Sequence, residues 1–217
     1  MTTATQLTVD VYADMVCPWC YIGERRLARA MAERPEIAVE RHWRPFQLRP
    51  DAPARGLSWS EFVREKFGGE ARARAMFDHV AAAGAPDGLA FDFGRVASAP
   101  NTVDAHRLIL FAGERGRQWP VAEALFHGYF ARGLDLNDHE QLAAATAAAG
   151  LDPTEVRAHL ATNIGVADVH ASQREARRLG VQGVPFFVFD NRIALSGAQP
   201  LEWFVRAIDA AREKSDE

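Results

Sequence analysis

Both cysteines of this 217-residue chain, Cys17 and Cys20, lie in one Cys-Pro-Trp-Cys motif, at the junction between an alternating segment and a helical one. Residues 7–12 (LTVDVY) alternate apolar and polar side chains and read as a strand. After the motif, IGERRLARAMAER places Leu27, Ala30 and Met31 on one helical face, and residues 37–46 (IAVERHWRPF) read as a second strand. Proline fits the first helical turn, where its missing N–H leaves no bond unmade, so Pro18 is expected at the first helical position and Cys17 at the N-cap. Strand, helix and strand in this order make a right-handed βαβ unit, which commits the chain to an α/β fold.

The far end carries a second strand signal. GVPFFVFDNRIALSG reads as an aromatic strand, a turn at Asp190-Asn191 and a returning strand over Arg192 to Leu195. A final helix opens at Pro200 and runs through Ile208, with Trp203, Phe204 and Ala207 at core-facing spacing. Between these ends the punctuation is helical. Ser58 with Glu61 forms a capping box that Gly68 closes, and Gly84 ends the next helix. Asn101 is expected to cap a helix running to Gly116, and Pro120 to start one ending near Gly133. Asn137 with Glu140, and Asp152-Pro153 with Glu155, repeat the cap signature before a last helix to Leu179.

At 48% hydrophobic and 25% charged residues the composition is that of an ordinary globular chain, long enough for one large domain or one domain interrupted by another. The net charge of −4 argues against a protein that lives on phosphate contacts, so nucleic acid is not an expected partner. No apolar run approaches the roughly 20 residues of a membrane helix, and the opening MTTATQLTVDVYADM has neither a basic nor an apolar leader region. A membrane partner is therefore not expected, and a cytoplasmic location is.

A thiol acts as its thiolate. At an N-cap, Cys17 sits over unpaired backbone N–H groups and the positive end of the helix dipole, both of which favour S⁻. Cys20 lies on the same face one turn deeper. Cys17 is thus the expected attacking thiol and Cys20 the resolving one. Half of a zinc site is the alternative, but zinc wants four ligands, no further cysteine exists, and none of the seven histidines pairs at a ligand spacing. Neither a metal nor an organic cofactor is expected.

The motif in this setting resembles the DsbA family of thioredoxin-fold dithiol oxidoreductases, most closely its cytoplasmic FrnE-like branch. The resemblance rests on DMVCPWCYIGERRL (Asp14–Leu27), NTVDAHRL (Asn101–Leu108) and GVQGVPFFVFDNRIALSGAQP (Gly180–Pro200). It implies a thioredoxin-like domain over residues 1–50 and 180–217, with a large all-helical domain, residues 58–179, inserted. It implies that Pro185 follows a cis bond in a loop abutting the motif. Without the resemblance, a trans proline opening an edge strand is the better reading. Pro18, Trp19, Val184 and Pro185 are then the substrate-contacting residues beside Cys17 and Cys20. Trp19 departs from the periplasmic relatives, which carry His there, so a positive charge is missing beside the thiolate. Two cysteines depart from the isomerase and transferase relatives, which carry Ser at the first position.

Three weaker candidates accompany these. Asp14 is either a proton relay to Cys20 or a turn residue. Asn101 is better read as a helix cap than as a cleft residue. His106 is read equally as a substrate contact or as a solvated or packing residue. The expected activity is disulfide exchange or isomerisation on a protein or peptide disulfide, or with a glutathione-like thiol, and the strand edge beside Pro185 is a place for an extended substrate. The rivals are a glutathione-linked isomerase or tailoring enzyme for an aromatic or polyketide substrate, and a non-catalytic chaperone-like binder. Cys17→Ser separates them, because only the first activity requires the thiol.

Overall fold

The computed structural model describes residues 6–213. Strand β1 (Gln6–Ala13), helix α1 (Pro18–Ala32) and strand β2 (Ala38–Pro45) form the opening unit. A long intervening stretch holds β3 (Leu57–Ser58), α2 (Trp59–Phe67), α3 (Glu70–Gly84), β4 (Ser98–Ala99), α4 (Val103–Gly113) and α5 (Gln118–Arg132). It continues through α6 (His139–Ala147), α7 (Pro153–Leu160) and α8 (Val166–Arg178), and β5 (Phe186–Phe189), β6 (Ile193–Ser196) and α9 (Leu201–Glu213) close the chain.

Four strands make one sheet in the order β2-β1-β5-β6, with β1 parallel to β2 and the other pairs antiparallel. The expected α/β, thioredoxin-like arrangement (βαβ…ββα) is what forms. Alternation along FFVF divides the sheet's two faces. Phe187 and Phe189 are fully buried, and Phe187 meets Phe204 of α9 edge-on at 4.9 Å. Phe186 and Val188 face a smaller cluster of Tyr12, Phe46, Ala176 and Val181. The hairpin turns through two consecutive left-handed residues, Asp190 (φ 46°) and Asn191 (φ 54°), residue types that tolerate this conformation. Asp190 Oδ1 also accepts from the Thr8 N–H at 2.7 Å, tying the turn to β1.

Helix α1 is fixed on two sides. Tyr21 stacks on Phe126 of α5 (5.0 Å, 11°) and donates its hydroxyl to Glu123 at 2.7 Å. Arg26 donates to Asp87 (2.7 Å), to the Ala83 carbonyl (3.1 Å) and to the Ala198 carbonyl (2.8 Å) before α9. One hydrophobic core runs from the sheet through α1 into α4 and α5, where Leu108, Phe126 and Phe130 are fully enclosed. No helix among the described residues is long and apolar enough to cross a membrane.

Several local expectations shift. The stretch expected to be all-helical contains the short β3–β4 ladder, Leu57 opposite Ala99. Trp203 points outward, 49% exposed, because the face of α9 that meets the sheet is set by Phe204, Ala207, Ile208 and Ala211. Thr102 holds the N-cap position of α4, although the capping bond comes from Asn101, whose Oδ1 accepts from the Val103 N–H at 3.0 Å. That helix ends at Gly113, three residues early, and α5 begins at Gln118 rather than at Pro120. Asp138, not Asn137, caps α6, accepting from Glu140 and Gln141. The capping box at Ser58 and the Asp152 cap form as read.

Candidate active site

The two thiols sit where α1 leaves the C-terminal end of β1. Cys17 takes the N-cap position in extended conformation (φ −98°, ψ 107°) with Pro18 next, and its carbonyl accepts from Cys20 N–H at 3.0 Å. Both cysteines are free thiols, 4% and 1% exposed, Cys20 being the deeper. The Cys17 thiol donates to the Val184 carbonyl at 3.6 Å, and the Val184–Pro185 bond that follows is cis. Gly23 permits this approach. A Cβ there would lie 3.0 Å from the Phe187 ring and 3.1 Å from Pro185, so a hydrogen at this position lets α1 settle onto the proline loop. Burial, followed by the neighbouring Cys17, pushes the Cys20 thiol well above the ordinary range, while the Asp14 backbone pulls the other way. Cys20 is protonated at neutral pH and must give up that proton to react.

Asp14 is the carboxylate that acts on Cys20 electrostatically. It is buried, with Oδ2 accepting from the Leu48 N–H at 2.8 Å and Oδ1 lying 3.3 Å from His106 Nε2. His106 is itself fully buried and accepts the Trp43 indole N–H on Nδ1 at 3.1 Å. An indole can only donate, so a neutral His106 carries its proton on Nε2, facing Asp14. The two atoms lie close without a well-aligned hydrogen bond, and neither has another partner.

A cleft of about 320 Å³ opens at the thiol. Asp14, Cys17, Pro18, Trp19 and Val184 lie in its wall, and Pro185 stands behind them against Gly23. The opposite wall was not read from the sequence. It comes from Arg49, from Trp59, Phe62 and Lys66 on and around α2, and from Phe77 and Phe93. Aromatics three apart on a short capped helix are also what a packing helix shows, so nothing local marked them. Asn101 is not in the cleft, although Pro100 and Thr102 beside it are; its amide donates to the Ala52 carbonyl at 2.9 Å. His106 touches neither solvent nor the cleft and stands one layer behind Asp14, correcting both the solvated and the substrate-contact readings. The strand edge expected beside Pro185 is closed, because β5 is paired with β1 on one side and β6 on the other.

The comparisons with known proteins agree with this geometry. The model of the DSBA-like thioredoxin domain matches residues 8–209. A probable DsbA oxidoreductase from Streptomyces coelicolor is 36% identical, covering 95% of this chain and 90% of its own, with a TM-score of 0.85. The uncharacterized protein YwbO of Bacillus subtilis is 24% identical over 208 residues, which is 95% of this chain and 98% of that one. At the level of fold alone, the cytosolic disulfide reductase DsbM of Pseudomonas aeruginosa, solved with GSH, superposes with a TM-score of 0.62 at 18% identity, covering 96% and 97% of the two chains. With an N-cap Cys-Pro-Trp-Cys, a thioredoxin-like sheet and these relatives, the chain belongs to the family of DSBA-like thioredoxin domain oxidoreductases.

Proposed function

We propose that Cys17 and Cys20 exchange disulfides with a protein, a peptide or a small thiol such as glutathione, in the cytoplasm, as a member of the FrnE-like branch. The observation that carries this reading is the Cys17 thiol at the start of α1, in the wall of a cleft and 3.6 Å from the Val184 carbonyl. In this reading residues 1–50 and 180–217 supply the thiols and the proline loop, and the insert, residues 58–179, supplies the facing wall.

The Cys17 thiolate attacks one sulfur of a substrate RS–SR′, forming Cys17–S–SR and expelling R′S⁻, which takes up the proton Cys17 lost. Cys20 then transfers its proton to the Asp14 carboxylate, attacks Cys17 Sγ and expels RS⁻, which is protonated in turn. The products are two substrate thiols and the Cys17–Cys20 disulfide. Two equivalents of a small thiol restore the dithiol by the reverse steps. Pro18, Trp19 and Val184 shape the approach to Cys17, with Pro185 setting the loop behind Val184.

Substitution separates the two thiols. Cys17→Ser is expected to abolish reduction of a model protein disulfide. Cys20→Ser is expected to accumulate a mixed disulfide at Cys17, seen as a mass increment equal to the substrate thiol. Undiminished turnover by Cys17→Ser would refute the assignment.

A further inference from the structure

We propose that the cleft beside Cys17 selects a small disulfide whose body is aromatic and which carries a carboxylate, the anion being received by Arg49 and Lys66. The inference rests on the dithiol reading above and names the substrate class that the cleft itself fits.

Two observations specify the ligand. First, the wall facing Cys17 is aromatic, with Trp59 ring-stacked on Phe77 at 5.4 Å and Phe77 on Phe93 at 4.4 Å. Leu48 and Met76, 37% and 44% exposed, add further apolar side chains to the lining. A volume of about 320 Å³ suits a molecule of one or two rings rather than a folded segment.

Second, the cleft gathers positive charge. The Arg49 guanidinium and the Lys66 ammonium each stand 5.4 Å from the centre of the same ring, Phe62. A ring face attracts each cation, but two like charges held around one ring repel each other. Among the described residues Lys66 makes no ion pair, and its other close neighbour is the Phe67 ring at 5.9 Å. Arg49 reaches one carboxylate, Glu65, only at 4.0 Å, with the Glu65 side chain 58% exposed, and the Arg49 Nη1 has no hydrogen-bond partner. Asp14, the acid in the cleft wall, accepts from the Leu48 N–H and lies 3.3 Å from His106 Nε2. An incoming carboxylate beside Phe62 would relieve this repulsion and receive charge-assisted hydrogen bonds. Its aromatic body would then lie against Phe77 and Phe93, with the disulfide directed at Cys17.

The experiment is a stoichiometric reaction of the dithiol protein with two chromogenic aromatic disulfides. One is 5,5′-dithiobis(2-nitrobenzoate), with a carboxylate on each ring; the other is 4,4′-dithiodipyridine, which is uncharged. Each second-order rate is divided by that of N-acetylcysteine amide, a thiol without a carboxylate, at the same pH, which removes intrinsic reactivity. The wild type is expected to favour the carboxylated probe by tenfold or more on this scale. Lys66→Met and Arg49→Met are each expected to lower that preference severalfold, and the double variant to erase it. Arg178→Met, which removes an equal charge at a residue that does not line the cleft, is expected to retain it. Lys66 is exposed, so its variant reports even if Arg49→Met folds poorly. Equal normalised rates for the two probes in the wild type, or a preference unchanged by Lys66→Met, would overturn the inference while leaving dithiol exchange standing. A wild type that reduces neither probe faster than N-acetylcysteine amide would overturn both.

Discussion

Cys17 and Cys20 are three residues apart and chemically alike, yet their surroundings give them different duties. Cys17 opens on the cleft, whereas Cys20 is enclosed and its thiol is held protonated chiefly by burial. Iodoacetamide at neutral pH is therefore expected to alkylate Cys17 and spare Cys20 in the folded dithiol protein. Peptide mass mapping checks this, and equal labelling of both would contradict the division of labour. Asp14 carries the next expectation. Asp14→Asn removes the proposed acceptor for the Cys20 proton, although losing its negative charge also makes Cys20 easier to ionise. At neutral pH the missing acceptor dominates, and the mixed disulfide at Cys17 should resolve more slowly by on the order of a hundredfold, the usual scale of a general base. Above about pH 9, where hydroxide can take the proton, the difference should shrink. Stopped-flow decay of the mixed disulfide against pH tests both limbs. The sequence marked Asp14 and His106 as candidates but not their contact, since the two stand 92 positions apart in the chain.

At the scale of elements, α1 is the piece on which the site depends, and two of its residues hold it in different ways. Gly23 lets the helix lie against Phe187 and Pro185. Gly23→Val would push branched carbons into that contact and is expected to cost about 1–3 kcal/mol of stability, the usual range for overpacking. Because the displaced element carries Cys17 and faces the proline loop, disulfide exchange should slow as well. Arg26 instead ties α1 to Asp87, a nearly buried carboxylate, and to carbonyls of two other segments. Breaking a buried pair costs about 3–5 kcal/mol, and since Arg29 still reaches Asp87, Arg26→Met should lose about 2–3 kcal/mol. Exchange per folded molecule should be unaltered, because Arg26 lies outside the cleft. Urea unfolding and exchange rates on the two variants separate these outcomes. The position of α1, with Cys17 at its N-cap and Pro18 next, was legible, because proline and cysteine at a strand-to-helix junction are local signals. The cap at Asp138 in place of Asn137 was not, because both residues carry the same kind of acceptor and only the backbone path selects one.

The whole molecule shows how its buried groups shape its response to pH. Burial is the first cause raising the Cys20 thiol and the hydroxyls of Tyr12, Tyr21 and Tyr129. The folded state holds these protons more tightly than the unfolded one, so their contribution is complete below about pH 8.5 and is lost as pH rises through the raised values. His159 shifts the other way, lowered by burial and then by the charge of Arg107. Its folded form takes up a proton less readily than the unfolded one, so its contribution is complete above about pH 6.5 and falls away below. Thermal stability of the dithiol protein should accordingly be nearly level between these limits and decline on both sides. Calorimetry across pH 5 to about 10 tests the shape. In His159→Phe the decline between about pH 6.5 and 5 should be reduced, and an unchanged acid limb would remove His159 from the account.

Patterns of period two and three to four residues, together with proline, glycine and cap residues, are local properties, and they were enough to place the βαβ start, the ββα end, the helical middle and the cysteine pair at the head of α1. What lies across space from those cysteines depends on packing between distant segments. Cys17 and Val184, 167 positions apart in the chain, meet because one core joins β1, α1 and β5. Arg49, Phe62 and Lys66 face the thiol only because α2 folds back over the motif, and no spacing in the chain records that return. Trp203 makes the same point in reverse. Its helical spacing fits a core position, but the sheet met α9 along the line of Phe204, Ala207, Ile208 and Ala211, and Trp203 was left in solvent. Periodicity limits which faces a helix can bury; the neighbour it packs against decides which one it does.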